Sequence, residues 1–556
     1  MEKNLFLKET LMGAGANGAQ TENGAISYAS TGSELIDQFS KAGTARGRDI
    51  NDVWVEQAKI WGENPLDALR FPFYLRMITR QSNLLEDGAK TEKVQKGQGA
   101  RDEAFKRFLW IARNHPDEFY RNLWLIPVVG SWKDLWVLLS MDDTLDKEKF
   151  FSVFAAGINS ASHKDLVKKY MPRIRSNKLC TTDWAKKTNA LAKEFAKFAG
   201  WSMKEYREFK STGKAHIFQR LICSRMYDSI NWNTIPGKAL LNLVSGDFLK
   251  RHNLTDTYVK WLKEQPTAKF NGYVYELAQK LPKSNGWISS IDLSRIPVAQ
   301  KITIDKQFDG LIATAEKDGP AITGNVLVAL DTSGSMQAQI SGASGGLTSF
   351  DVCMSLGIYF SALNKGEFHN TVAMFDNVSR LKKIKSETFT EKWAELCNEE
   401  VAWGGTNFQS LIDLIVRTRN QNPNIPLEDF PQTLLVVSDM QFNPTNSYSY
   451  RGSVERERTN YEEMKRKLAT AFPAEWVENF KCIWWYCASR DGASHDVPAT
   501  MDMGGQYLFS GFDGAIVSLL LSGNGEIDKN TGKVKELSME EAVQAALTQE
   551  VLMLVQ

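Results

Sequence analysis

The stretch LVALDTSGSM, residues 327–336, carries an apolar run straight into an acid, Asp331, and then two hydroxyls, Ser333 and Ser335, spaced two apart around Gly334. Continuous apolar runs without alternation belong to strands buried on both faces, as in parallel sheets. In a doubly wound sheet, ligands bind beyond the carboxyl ends of the strands. Three hard oxygen groups delivered to such an end point to a ligand that is met by oxygen alone.

Asn325–Leu330, Thr371–Phe375, Thr433–Val437 and Lys481–Cys487 are short apolar runs of strand length. Helical stretches separate them: Phe350 to Leu363, Asn407 to Arg417 and Tyr461 to Phe472. This alternation predicts an α/β domain with a doubly wound parallel sheet. Two further segments carry chemistry that matches the first turn. TLLVVSDMQF ends its apolar run at Asp439, and WGGTNF places Thr406 after two glycines at the mouth of a helix. Asp331, Ser333, Ser335, Thr406 and Asp439 together supply two carboxylates and three hydroxyls. That donor set suits Mg2+, with Mn2+ or Ca2+ as alternatives, and an acidic group from a partner could complete the shell.

Upstream the texture is different. From about Gly32 to about Gln265 the pattern is helical, with AFKRFLWIA setting Phe105, Phe108, Leu109 and Ala112 at helical spacing. Asn64–Pro65 and His115–Pro116 resemble helix starts, and Thr182 can cap a helix whose apolar face is Trp184, Leu191, Phe195 and Phe198. Residues 1–30, rich in Gly, Ala and Asn, are expected to form a loose arm. The predicted organisation continues with a helical-repeat (HEAT-like) domain over 31–283 and a turn-rich linker with one strand over 284–320. The α/β domain follows over 321–522, then a hairpin and helix over 523–556. The hairpin would turn at Asn530–Gly532, and Ser538 with Glu541 would form the capping box of the last helix.

Composition narrows the function classes. The 556 residues are 43% hydrophobic and 24% charged, as in an ordinary globular protein. No apolar run reaches the roughly 18–20 residues of a membrane helix, so no membrane partner is expected. The first residues lack a secretory apolar core. Six cysteines show no CxxC and no tight framework, which predicts reduced thiols and a cytoplasmic setting. The net charge of +1 conceals an asymmetry: residues 1–300 carry 45 basic against 33 acidic side chains, and residues 301–556 carry 22 against 33. A basic half joined to an acidic half predicts two domains with different partners.

The densest basic run is HKDLVKKYMPRIRSNK, residues 163–178. Lys164, Lys168, Lys169, Arg173, Arg175 and Lys178 lie in it, and Lys186 and Lys187 follow. KEYREFKSTGKAHIFQR adds Arg207 and His216, with Lys210 and an interleaved Tyr206. Cations that neutralise phosphates and rings that stack on unpaired bases suit RNA. A solvated helix face is the ordinary alternative for such a run. Catalytic motifs are absent: SGASGGLTS is followed by no Gly-Lys-Ser/Thr, the six histidines make no HExxH, and Cys482 and Cys487 sit in an apolar strand.

Asp331, Ser333, Ser335, Thr406 and Asp439 fill every position of the metal-ion-dependent adhesion site (MIDAS) of von Willebrand factor A (VWA) domains, Asp-x-Ser-x-Ser with a distant Thr and Asp. A helical array followed by such a domain resembles the Ro ribonucleoprotein family, the TROVE-plus-VWA proteins. The wording is closer to an uncharacterised TROVE-like family, in TENGAISYASTGSELIDQF, WGENPLDALRFPFYLRMITR, VVGSWKDLWVLL, KKYMPRIRSN, INWNTIPGKAL and VSDMQF. The resemblance implies a helical ring with a Rossmann-like A domain. It implies a non-enzymatic scaffold that binds single-stranded ends or small noncoding RNA through its basic half. The alternative is a protein-interaction or assembly module whose metal captures an acidic residue of a partner.

Overall fold

A computed structural model describes residues 18–80, 91–92, 95–212, 217–282, 291–318, 325–343, 345–399, 403–445, 458–488, 497–512, 514 and 537–556. The expected hairpin at Asn530–Gly532 lies outside them. The chain divides into two compact units. One contains the chain up to residue 48, residues 241–248 and residues 262–546. The other contains residues 49–240, 249–261 and 547–556.

The first unit holds a six-stranded sheet: β1 (Val326–Asp331), β2 (Thr371–Phe375), β3 (Ser379–Lys383), β4 (Thr433–Ser438), β5 (Lys481–Tyr486) and β6 (Gln506–Ser510). Its order is β6-β5-β4-β1-β2-β3. All neighbours are parallel except β2 and β3, which pair antiparallel. Both β1 and β4 are buried along their whole length, which is why their sequences show no alternation. Edge strand β3, SRLKK, is polar and partly exposed; its cations discourage further strand pairing. Trp484 and Trp485 on β5 are buried, and each indole N–H has a partner, Gln506 Oε1 at 2.8 Å and the Gly511 carbonyl at 2.9 Å.

The helix Ser349–Leu363 is buried on nearly every side and starts with a capping box between Thr348 and Asp351. Gly357 lets it approach β1: a Cβ there would stand 2.5 Å from Leu330. Two segments differ from expectation. Residues 298–318, placed in a linker, form one 21-residue helix; its polar residues hide a helical period behind turn-prone neighbours. Residues 18–30, placed in a loose arm, pack along the sheet domain. Gly18–Gln20 pairs with Ile26–Tyr28, and Tyr28 exchanges backbone bonds with Val497 at 3.0 and 2.8 Å. Further on, Ser510 Oγ donates to the Phe39 carbonyl at 2.8 Å and accepts from the Gly43 amide at 3.0 Å.

The second unit is helical, apart from a two-stranded ribbon, Ile78–Arg80 with Gln95–Gln98. Asn64 caps the helix Pro65–Arg76, accepting from the amides of Leu66 and Asp67, and Thr182 caps Asp183–Phe198. His115 makes no such cap; its ring stacks on Trp61 at 3.7 Å. Arg76 and Asp134 form a buried ion pair at 2.7 Å, and Asp134 also accepts from the Ser131 amide. Gly130 leaves room for the pair, since a Cβ there would lie 2.3 Å from Asp134 Oδ2 and force it to shift. The expected capping box of the last helix is present in the first unit: Glu541 accepts from the Ser538 amide at 2.7 Å and Ser538 Oγ from the Glu541 amide at 3.1 Å. Among the described residues no helix is long and apolar enough to cross a membrane.

Candidate cation site and basic face

Strand order places the site. From β1 the chain continues to β2 on one side, whereas β4, β5 and β6 succeed one another on the other. The carboxyl ends of β1 and β4 therefore flank the point where the winding reverses. Asp331 is the last residue of β1, and Asp439 follows the last residue of β4. Both are buried, as are Ser333 and Thr406; Ser335 is partly exposed.

Hydrogen bonds tie the three segments together. Ser438 Oγ donates to Asp331 Oδ2 at 2.5 Å, and the Ser333 amide donates to Asp331 Oδ1 at 2.9 Å. The hydroxyls of Ser333 and Ser335 lie 3.0 Å apart. The Gly334 amide donates to the Gly404 carbonyl at 3.0 Å, joining the β1 turn to the loop that carries Thr406. That loop threads between two asparagines. The Gly405 amide donates to Asn377 Oδ1 at 2.9 Å and the Thr406 amide to Asn443 Oδ1 at 3.2 Å, while the Asn443 amide donates to the Thr406 carbonyl at 2.9 Å. At 404 and 405 a Cβ would stand 2.2 Å from the Asn377 side-chain amide and 2.5 Å from that of Asn443, so a larger residue would displace the two asparagines that brace the loop. Trp403 and Met440 take positive φ, 50° and 61°, a strained choice for such side chains.

The electrostatics follow from this crowding. Burial, and next the Asp439 carboxylate, push Asp331 up to about 7; hydrogen bonds from Ser438 and Ser333 pull the other way. Thr406 Oγ1 is buried and has no hydrogen-bond partner. A buried hydroxyl without a partner, on a loop joined to the β1 turn, together with two mutually repelling carboxylates, is a donor chemistry that fits a hard cation. Among the described residues no three His, Cys, Asp or Glu side chains cluster to hold a metal. The candidate set here is instead two carboxylates and three hydroxyls. Cys353 Sγ, beneath the site, contacts the carbonyls of Asp331 at 3.7 Å and Val437 at 3.3 Å. Burial pushes the Cys482 and Cys487 thiols well up, which leaves them inert.

The basic residues divide. The helix Lys164–Tyr170 packs on Met203–Ser211, and Lys210 Nζ donates to the carbonyls of Lys168 and Lys169 at 3.1 and 3.4 Å. Burial, and then Arg173, push Lys210 down to about 8. Lys164, Arg173, Arg175, Lys178 and Arg207 are exposed, and Lys169 is partly so. Lys168 is largely buried; its amine donates to Thr212 Oγ1 at 3.1 Å and lies 4.6 Å over the Phe209 ring. Lys186 pairs with Asp183 at 3.2 Å, and Lys187 with Asp143 at 3.7 Å. Tyr206 is fully buried with its hydroxyl on the Pro172 carbonyl, so it offers no stacking face. His216 lies outside the described residues.

Two family models match the chain. Residues 325–553 match one described as a domain of unknown function, DUF7788, and residues 21–227 match another, DUF2828. The first match begins one residue before β1. The chain is 23% identical over 546 residues to Uncharacterized protein L728 of Acanthamoeba polyphaga mimivirus, covering 91% of this chain and 85% of that one. Among solved structures, the crystal structure of the Deinococcus radiodurans RO (RSR) protein aligns with a TM-score of 0.38 and 13% identity, over 89% of this chain and 99% of that one.

The sequence named all five candidate cation ligands but none of the groups that brace them. Ser438, Asn377 and Asn443 sit in strand ends and loops with no motif of their own. The paired glycines at 404 and 405 were the available sign that a neighbouring side chain would press on that backbone.

Proposed function

We propose that the protein is a non-enzymatic RNA-binding scaffold whose sheet domain is a von Willebrand A-type module carrying a divalent-cation seat. One observation supports the RNA reading most. Packing brings basic segments together: the Lys210 amine is held on the main-chain carbonyls of Lys168 and Lys169, close enough to Arg173 for those two cations to repel. Residues 151–225 carry 16 basic and 5 acidic side chains, so little within that stretch neutralises them. A polyanion relieves the repulsion and gains entropy as its counterions leave. Among the described residues, Lys164, Lys169, Arg173, Arg175, Lys178 and Arg207 are in no ion pair. These form the proposed RNA face; Lys186 and Lys187 are peripheral to it.

The test is binding of purified full-length protein to single-stranded and duplex RNA across a salt series. Affinity should fall linearly with the logarithm of salt concentration. Binding that ignores salt, or none at all, would remove the reading.

The orphaned Thr406 hydroxyl favours a second activity, cation-dependent capture of an acidic side chain from a protein partner. Asp331, Ser333, Ser335, Thr406 and Asp439 would hold Mg2+, or Mn2+ or Ca2+ in its place. The bound ion would supply a positive seat for a partner's carboxylate. A cytoplasmic setting is proposed on the six free thiols.

A further inference from the structure

We infer that the turn Thr21–Ala25 is a latch that positions the cation seat from the opposite end of the chain. The inference rests on the cation reading of Asp331, Thr406 and Asp439. Asp439 opens a short loop, residues 439–443, that serves the seat twice. Its Gln441 amide donates to Asp439 Oδ1 at 3.2 Å. Its Asn443 grips the Thr406 backbone through both of its own amide groups, main chain and side chain. Met440, between them, holds its unfavourable positive φ. A loop in that conformation persists only where its surroundings over-determine it.

The N-terminal turn supplies that restraint. Thr21 Oγ1 donates to the Phe442 carbonyl at 2.6 Å, and the Glu22 amide donates to Gln441 Oε1 at 2.6 Å. Asn23 Nδ2 donates to the Gln441 carbonyl. The turn is preformed. The Thr21 amide bonds to the Ala25 carbonyl at 2.9 Å, the Gly24 amide to the Thr21 carbonyl at 2.8 Å, and the Ala25 amide to Thr21 Oγ1 at 3.0 Å. Gly24 has φ +87°, which closes the turn without strain only in glycine. Beneath the latch, Thr21, Ser27, Met440 and Phe442 help to line a cavity of about 10 Å³, near the size of one water. The Ser27 hydroxyl, buried without a partner, belongs to that wall. These directed bonds add to packing, since Phe442 is buried with its ring 5.5 Å from both Phe408 and Trp484. Thr21 and Asn23 are positioning residues, one step removed from Asp439 and Thr406.

Mn2+ binding by full-length protein tests this, with hydrogen exchange at residues 439–443 measured separately in chelator. Thr21→Val should weaken Mn2+ by about fivefold to tenfold, the loss expected for one buried hydrogen bond, and Asn23→Ala, whose bond is more exposed, by about twofold to threefold. Both should speed exchange at 439–443 without any metal, and Thr21→Ser should behave as wild type. The Asn23 side chain is exposed, so that variant stays informative if Thr21→Val folds poorly. Unchanged Mn2+ affinity and unchanged exchange in Asn23→Ala would overturn the latch. Equal Mn2+ binding by wild type and Asp331→Ala would instead overturn the seat, while the exchange result would still report on the latch.

Discussion

The Ser438 hydroxyl donates to Asp331 Oδ2 at 2.5 Å, joining the ends of two parallel strands that diverge at the winding reversal of the sheet. This bond orients one carboxylate, while the Thr406 hydroxyl, on a loop joined to the β1 turn, is buried and unpartnered. A fold that tolerates such an orphan gives up stability that a ligand can return, since an unsatisfied buried polar group costs about 1–3 kcal/mol.

Thr406→Val separates ligand binding from folding. It removes the orphaned hydroxyl and keeps the shape, so the metal-free protein should melt at the same temperature or slightly higher. Mn2+ affinity, measured by calorimetry, should fall about tenfold or more, as for loss of one ligand from a small donor set. A variant that melts lower and binds Mn2+ normally would show the hydroxyl to be structural.

RNA binding should depend on which cations are reversed. Lys169→Glu, Arg173→Glu and Arg175→Glu together should weaken single-stranded RNA binding and reduce the salt slope by about 2, near 0.7 for each lost phosphate contact. Lys186→Glu with Lys187→Glu should change the slope by less, because those amines already face Asp183 and Asp143. Filter binding over 50–300 mM salt, a range of roughly two natural-log units, suffices to separate the two slopes.

The helical unit should be sensitive to Arg76. Its guanidinium is buried against Asp134, and burial leads the causes that raise the Asp134 carboxyl, with Arg76 the largest opposing influence. Arg76→Met would leave that acid alone and cost about 3–5 kcal/mol. The loss should be greater at pH 8 than at pH 5, because protonating Asp134 relieves the uncompensated charge. Denaturant melts at the two pH values measure this.

Asp305 should behave in the opposite way to a stabilising carboxylate. Burial pushes it up to about 6 although it accepts from Thr390 N at 2.9 Å and Thr390 Oγ1 at 3.2 Å; Lys301 lowers it and Glu391 raises it. A carboxyl whose folded value lies above its unfolded 3.8 binds its proton more tightly when folded, so its stability contribution declines as pH rises between those values. Asp305→Asn should therefore raise the melting temperature at pH 8, by about 2–4 °C for each kcal/mol gained in a domain of this size, and do so less at pH 4.5. An equal effect at both would show that Asp305 does not titrate in this range.

Much of the sheet domain was legible because burial on both faces writes a plain signal. Four of the six strands appear as largely apolar runs, and the helix Ser349–Leu363 as an apolar stretch interrupted by Asp351, Ser355, Gly357 and Ser361. Strand β3 was missed because an edge strand carries Arg380, Lys382 and Lys383 in place of apolar residues. Strand β6, QYLFS, has only three apolar residues between Gln506 and Ser510 and does not stand out from its turn-rich flanks. Thr21–Ala25 read as a loose arm because Asn-Gly and small polar residues look alike in a free tail and in a turn hydrogen-bonded to residues more than 400 positions away. The basic run was visible, but charge patterning could not say that Lys168 turns inward while Arg173 and Arg175 do not.

The most direct test of the cation seat is a crystal of the full-length protein grown with Mn2+ and measured for anomalous scattering. A single strong peak is expected among Asp331, Ser333, Ser335, Thr406 and Asp439, lost in Asp331→Ala. A well-ordered site with no peak there at millimolar Mn2+, or a peak held by other residues, would contradict it.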